Sequence, residues 1–368
     1  MVVIKKEKEM KKLGKHLIIS ILVIITILLC TLLLVFRNEL ITLNHIKKLD
    51  NHPFYEMTYY ADYGIDELTK QGVNSDEALV NFVSNRLLKG LPLETNVDGA
   101  CSAFYTKSLD SGYLLGRNFD YHPSTAMLVR TNPKDGYRSI SMVNLTHIGY
   151  DEDLQPDSFI NKISTLAAPY IPLDGMNEKG FAIAVLVVEE QKVHQSTGKT
   201  PITTTTAIRL LLDKAATVDE AISLLDSYDM NSSGETGYHF FLADAHGNSA
   251  VVEYIENNMQ VLRNSKQDST LAATNFTLTT EKGNGGGYDR YETIQSGLKS
   301  TKGIMSTEET MNLLEKAQFI PSTESDEETA NKYADCSTQW SAVYNLSEKV
   351  VEICIGTKYE RKYIYSFQ

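Results

Sequence analysis

Twenty consecutive residues, Leu17 to Phe36, carry no charge, and only Ser20, Thr26, Cys30 and Thr31 interrupt the aliphatic run. At ~1.5 Å rise per residue, a helix of this length spans the ~30 Å hydrocarbon core of a bilayer. Lys5, Lys6, Lys8, Lys11, Lys12 and Lys15 precede it. A basic flank stays on the cytoplasmic side, so the chain after the span faces outward. A cleaved signal peptide has a shorter apolar region and a small-residue cleavage site. Phe36-Arg37-Asn38-Glu39-Leu40 offers no such site, and Leu29 before Cys30 does not fit a lipoprotein signal. Length and the lysine flank argue against a buried core helix. The reading is a single-pass signal anchor in the cell membrane: residues 1–16 a cytoplasmic basic tail, 17–36 the transmembrane span, and the remainder extracytoplasmic.

The 368 residues are 42% hydrophobic and 22% charged, with room for one large domain or two moderate ones. A net charge of −12 excludes a nucleic-acid partner, which needs a basic face. The eight histidines are scattered, with no His-Glu-x-x-His or Cys-x-x-Cys, so neither a metal nor another cofactor is expected. Cys336 and Cys354 flank an expected hairpin. They are either a disulfide, which an extracytoplasmic location permits, or two buried free thiols. Self-association is left open.

Cys101 lies in Gly-Ala-Cys-Ser-Ala-Phe (99–104), and Gly-Arg-Asn-Phe-Asp-Tyr (116–121) follows. Ser108-Leu109-Asp110-Ser111-Gly112 between them has turn chemistry. The segment therefore reads strand, turn, strand. It brings a thiol, the Arg117 guanidinium and the Asp120 carboxylate to one end of a hairpin. A thiol beside a cation is held partly as thiolate, the nucleophilic form. The competing reading is a small buried cysteine and a surface ion pair of little energetic weight.

Residues 37 to about 98 form a segment of their own. Asn74-Ser75-Asp76-Glu77 reads as a helix start, Asn74 capping, and the apolar positions from Ala78 to Leu88 keep helical spacing until Gly90. Strands are expected at Cys101–Thr106, Tyr113–Asp120, Ala126–Thr131 and Arg138–Leu145. Another, Phe181–Glu189, is apolar nearly throughout and so covered on both faces. Helices follow near Thr205–Ala216 and from Thr217-Val218-Asp219-Glu220, which has the capping-box pattern. Strands return at Tyr238–Asp244, Ser249–Ile255 and Ser269–Asn275. Gly283–Gly287 reads as a linker. Helices near Asp289–Lys299 and Thr307–Ala317, an acidic loop Ser322–Glu328, and a hairpin of Trp340–Leu346 with Lys349–Ile355 complete the chain. Alternating blocks of strands and helices suit two mainly antiparallel sheets packed together with helices outside, an α+β class.

Several local strings converge on one family. Cys101-Ser-Ala-Phe104 with Gly116-Arg-Asn-Phe-Asp120 resembles the opening of the choloylglycine hydrolases, linear amide C–N hydrolases of the N-terminal-nucleophile superfamily. Asp174-Gly-Met-Asn-Glu-Lys-Gly180 resembles that family's central turn. His239 to Asn248 with Glu253-Tyr254 resembles its middle hairpin. Ala273-Thr-Asn-Phe276, Tyr288-Asp-Arg-Tyr291 and Gln339-Trp-Ser-Ala-Val-Tyr344 resemble its later segments. The matches run in order over residues 101–368. The resemblance implies an αββα four-layer sandwich for 101–368, with 37–100 as a propeptide or linker segment containing a helix. It also implies a small N-acyl amide substrate of the bile-salt, penicillin V or N-acyl amide type.

In that family the nucleophilic cysteine is residue one of the mature chain. The resemblance therefore implies cleavage between Ala100 and Cys101, as in relatives with a propeptide such as acid ceramidase. A terminal cysteine supplies both the nucleophile and, in its α-amine of pKa about 7.7 to 8.0, a base near working pH. The thiol attacks the amide carbonyl and water releases the acyl-enzyme. By the resemblance, Asp120 positions the α-amine and Arg117 favours the thiolate. Asn275 donates to the oxyanion with the backbone N–H of Asn177, such a donor being worth ~10² to 10³ in rate, and Arg290 completes the network. Asn177 also fits a plain turn residue. His239 reads as a structural hydrogen-bonding group. Acyl transfer to an amine, a non-catalytic anchored binding protein, and a cysteine protease using an internal histidine are the alternatives.

Overall fold

A computed structural model describes residues 2–90, 100–188, 192–264, 270–280, 285–320 and 334–367. The Ser322–Glu328 loop lies outside the described residues, as do Glu189, Ser269, Gly283 and Asn284.

Two sheets face one another. The first has nine strands in the order Lys47–Asp50, Phe54–Tyr59, Ala126–Thr131, Ser139–Asn144, Pro172–Asn177, Ala182–Val188, Gly237–Ala243, Ser249–Ile255 and Asn258–Arg263. The second runs Leu271–Ala273, Ala100–Ser108, Tyr113–Tyr121, Ser337–Asn345, Val350–Ile355 and Tyr363–Ser366, with Ile304–Met305 beside Ala100–Ser108. Pairing within these two sheets is antiparallel except at Phe54–Tyr59 with Ala126–Thr131 and at Ile304–Met305 with Ala100–Ser108. Every residue of Pro172–Asn177, Ala182–Val188 and Gly237–Ala243 is buried. Full burial is what the unbroken apolar strand Ala182–Val188 requires, and cover on both faces provides it. Helices Thr204–Lys214 and Val218–Asp226 pack on the first sheet, and Tyr288–Ser300 and Thr307–Lys316 on the second.

Local chemistry sets the helix starts. Ser75, not Asn74, caps Asp76–Arg86, accepting from the Ala78 amide at 3.2 Å. Thr217 caps its helix through Glu220 N at 3.2 Å, but the Glu220 carboxylate reaches back to Ala216 N, one residue short of a reciprocal box. Ser306 and Glu309 do form a complete box. Gly285–Gly286, expected as linker, pairs with Asn275–Phe276. All four cysteines are thiols, so Cys336 and Cys354 are not bridged.

Residues 37–90 hold more structure than the one expected helix. They form helices Arg37–Asn44, Ile65–Gln71 and Asp76–Arg86 and supply two strands of the first sheet. In Phe54-Tyr-Glu-Met-Thr-Tyr59, buried Tyr55, Met57 and Tyr59 alternate with half-buried Glu56 and Thr58, and Phe54 is fully buried as well. The Tyr59 hydroxyl donates to the Leu166 carbonyl at 2.9 Å, and that of Tyr63 to Asp213 at 2.8 Å. Phe54→Ala is expected to cost ~3–5 kcal/mol, as for other buried aromatics. Urea unfolding checks this, and a change under about 0.5 kcal/mol, the size of a surface substitution, would show the segment to be peripheral.

One helix, Val2–Val35, lies outside both layers. Within its stretch Lys12–Val35, an 18-residue window has a mean hydropathy of 3.2 and is unburied. It is long and apolar enough to cross a membrane.

Candidate active site

The hairpin fixes the first three residues. Cys101 pairs with Phe119, Ala100 with Asp120 and Ala103 with Arg117. The turn closes through Ser108 N to Gly112 O at 2.9 Å, with Gly112 at φ +80°. Side chains alternate across a strand, so Arg117 and Asp120, three apart, point to opposite faces of the sheet. They reach Cys101 from opposite sides.

On the inner face, Arg117 Nη2 donates to Cys101 Sγ at 3.4 Å and to the Val185 carbonyl at 3.2 Å. Its Nε pairs with Asp174 Oδ2 at 2.8 Å, both side chains fully buried. Asp174 also accepts from Trp340 Nε1 at 3.0 Å and from the Tyr344 hydroxyl. Burial pushes the Asp174 carboxyl up, and these three donors oppose it. The Phe119 and Trp340 rings lie 5.0 and 5.7 Å from the guanidinium carbon. Asp174, Trp340 and Tyr344 lie in the family-like strings, yet their convergence on Arg117 is a product of two sheets meeting and leaves no local signal.

On the outer face, Arg290 gathers three groups. Its Nη1 donates to the Cys101 carbonyl at 2.9 Å and to Asp120 Oδ2 at 2.7 Å; its Nη2 donates to Asn275 Oδ1 at 2.8 Å. Gly287, at φ +81°, opens this helix, and a Cβ there would sit 2.6 Å from Arg290 Nη2. Thr338 donates to Asp120 Oδ1 at 2.7 Å. Asn275 Oδ1 also accepts from the Cys101 backbone N–H at 2.9 Å, and its Nδ2 donates to the Val187 carbonyl at 2.8 Å.

Five of the six expected residues, Cys101, Arg117, Asp120, Asn275 and Arg290, therefore form one contiguous cluster. Asn177 does not join it. Its N–H closes a turn onto Phe181 O at 2.9 Å, and its amide donates to the carbonyls of Leu212 and Ala215 at the end of a helix. It is the turn residue of the alternative reading. Cys101 N is held by Asn275 and not by Asp120, because in the unbroken chain this nitrogen is a peptide with one hydrogen to give. The thiol also departs from expectation. Cys101 is 2% exposed, and burial pushes its thiol up against the opposing pull of Arg117. Burial likewise raises Asp120, with Arg290 and Thr338 opposing.

His239 Nε2 lies 2.7 Å from Glu253 Oε2. The Glu253 carboxylate accepts from Leu278 N at 3.2 Å and Thr279 N at 2.6 Å, which ties down the chain just after Asn275. Burial alone would raise Glu253; His239 and the Leu278 and Thr279 amides outweigh it and hold the group below the usual range. A depressed folded pKa stabilises the fold above the unfolded value of about 4.3 and loses that contribution as pH falls through the folded value. Glu253→Gln is expected to flatten the fall in melting temperature below about pH 4.5, measured against wild type across that range.

Two facing, largely antiparallel sheets with a cysteine near the start of the strand Ala100–Ser108 define a protein similar to the N-terminal-nucleophile hydrolases. The family model described as acyl-coenzyme A:6-aminopenicillanic acid acyl-transferase matches residues 107–360, and the chain belongs to that family, which takes in the choloylglycine hydrolases and penicillin acylases. Penicillin V acylase of Pectobacterium atrosepticum is 36% identical over 104 residues, 25% of this chain. The chain thus spans about a quarter, 27%, of that curated relative. The conjugated bile acid hydrolase of Clostridium perfringens is similar in fold, with a TM-score of 0.50 at 16% identity over 72% of this chain and 92% of the other. The penicillin V acylase structure from Agrobacterium tumefaciens gives 0.45 at 17% identity over 69% and 83%.

Proposed function

We propose that this chain is a membrane-anchored linear amide C–N hydrolase whose nucleophile is Cys101, made active by scission of the Ala100–Cys101 bond. The observation that carries this reading is the clasp around Cys101. Arg117 touches its sulfur, Arg290 its carbonyl, and Asn275 its nitrogen. The αββα sandwich of an N-terminal-nucleophile hydrolase is the matching fold.

The raised thiol explains why scission matters. A buried neutral thiol is a poor nucleophile and needs a base. The α-amine freed at Cys101 is that base, with a pKa of about 7.7 to 8.0. It takes the thiol proton as sulfur attacks the substrate carbonyl, then passes that proton to the departing amine nitrogen. Water attacks the thioester next, gives its proton back through the same amine, and releases the acid and the thiol. Arg117, fixed by Asp174, steadies the developing sulfur charge. Asn275 exchanges its bond to the Val187 carbonyl for one to the oxyanion, and Arg290 holds Asn275 and Asp120 in register. The substrate is a small N-acyl amide of the bile-salt, penicillin V or lipid N-acyl amide kind, met outside the cytoplasm.

Intact mass and N-terminal sequencing of protein purified from membranes test this. A fragment beginning at Cys101, with hydrolysis of penicillin V or a conjugated bile acid, is the expected result. Full activity from an uncut chain overturns it. The family description favours a second outcome, acyl transfer, and added 6-aminopenicillanic acid separates the two: transfer yields the N-acylated acceptor in place of the free acid, while hydrolysis yields the free acid at every acceptor concentration.

A further inference from the structure

Where the strand Tyr113–Tyr121 ends and the strand Ser337–Asn345 begins, three side chains of different chemistry converge. Ser337 is paired with Tyr121. Antiparallel register therefore sets Cys336 across from His122, at cross-strand distance. The Cys336 Sγ lies 3.6 Å from His122 Nδ1, and Asp335 Oδ1 lies 2.5 Å from the same nitrogen. One ligand atom from each residue falls within 4.8 Å of the others.

We infer that His122, Asp335 and Cys336 form a divalent-metal site of the zinc type, with three protein ligands and one open position. Thiolate, imidazole and carboxylate are the three ligand classes zinc takes. Zinc–sulfur and zinc–nitrogen bonds of ~2.3 and ~2.05 Å at a tetrahedral angle set the N···S edge at ~3.6 Å. The separation here is 3.6 Å. The N···O edge of such a site is ~3.3 Å, so Asp335 must withdraw by under an ångström. Its side chain is 64% exposed and on a turn, with room to do so. His122 is 40% exposed, which leaves an approach for the ion and a water, while Cys336 forms the buried floor. On binding, the thiol proton leaves to solvent as the thiolate takes the ion, so affinity rises with pH.

The location gives the ion a consequence. His122 stands two residues beyond Asp120, and Cys336 two residues before Thr338, which donates to Asp120. A metal here ties together the two strand ends that hold the Asp120 carboxylate.

Cobalt(II) titration of the full-length, detergent-solubilised protein tests the site. One equivalent is expected, with a thiolate-to-cobalt charge-transfer band in the near ultraviolet and visible bands of a four-coordinate ion, both displaced by zinc. Cys336→Ser is expected to remove the charge-transfer band. Cys101→Ala is expected to keep it. His122→Ala, at a partly exposed position, is expected to weaken cobalt binding at least ~10-fold, the scale at which even partners behind a metal ligand matter. Absence of the band in the wild-type protein, its survival in Cys336→Ser, or unchanged affinity in His122→Ala overturns the inference and leaves a surface His–Asp ion pair only.

Discussion

Cys101→Ala is expected to leave one uncut chain without measurable amide hydrolysis. The substitution removes a single sulfur from a packed strand, so the fold remains. Its effect falls on chemistry twice over: the thiol would be the attacking group in the chain's own scission and again on substrate. Losing the nucleophile of such a unit typically costs ~10⁶ in rate. Cys101→Ser is a sharper version. A hydroxyl retains some capacity to cut the chain, so slow scission with little turnover is the expected pattern. Gel mobility of the membrane fraction and a penicillin V assay read both outcomes. Wild-type activity in Cys101→Ala would place the nucleophile elsewhere.

The second large effect concerns Arg117 and Asp174. Both are fully buried, 2.8 Å apart, and fixed by Trp340, Tyr344 and Val185. Removing one member of a buried pair strands the other's charge, at ~3–5 kcal/mol. Arg117→Ala is therefore expected to lower stability by that amount and to abolish activity, through Cys101. Asp174→Ala should be comparably destabilising. The double variant should recover part of the stability and none of the activity, because it removes the stranded charge but also the contact with sulfur. Denaturant unfolding of the three variants forms the cycle that separates these contributions. Additive losses would mean the pair is not coupled.

How far the sequence carried this picture differs from residue to residue. The Cys101–Asp120 hairpin is legible because its information is local: turn residues at 108–112 and strand formers on either side. Asn275 and Arg290 are legible through the strings around them. Asn177 shows the limit. Its string places it in a turn before a buried strand, and it is there. Which residue of that strand arrives beside Asn275 depends on how far the strand runs, and it is Val187. The Arg117–Asp174 pair needs two sheets to face each other, and the His122–Cys336 contact joins positions 214 residues apart, so spacing rules for metal ligands do not detect it. Of the strands at 47–59, the four-residue Lys-Lys-Leu-Asp edge has no periodicity to read, whereas the alternation of Tyr55, Met57 and Tyr59 is a strand signal the sequence reading passed over.

Those two early strands bear on what the proposed anchor at residues 17–36 would do. Phe54–Tyr59 lies between Lys47–Asp50 and Ala126–Thr131, joined to both by backbone ladders. A cut before Cys101 would break the covalent line from the bilayer to that residue without breaking the sheet. The enzyme would stay moored by hydrogen bonds and packed side chains alone. High salt and carbonate washes should then leave it on the membrane, and only conditions that melt the sheet should set it adrift.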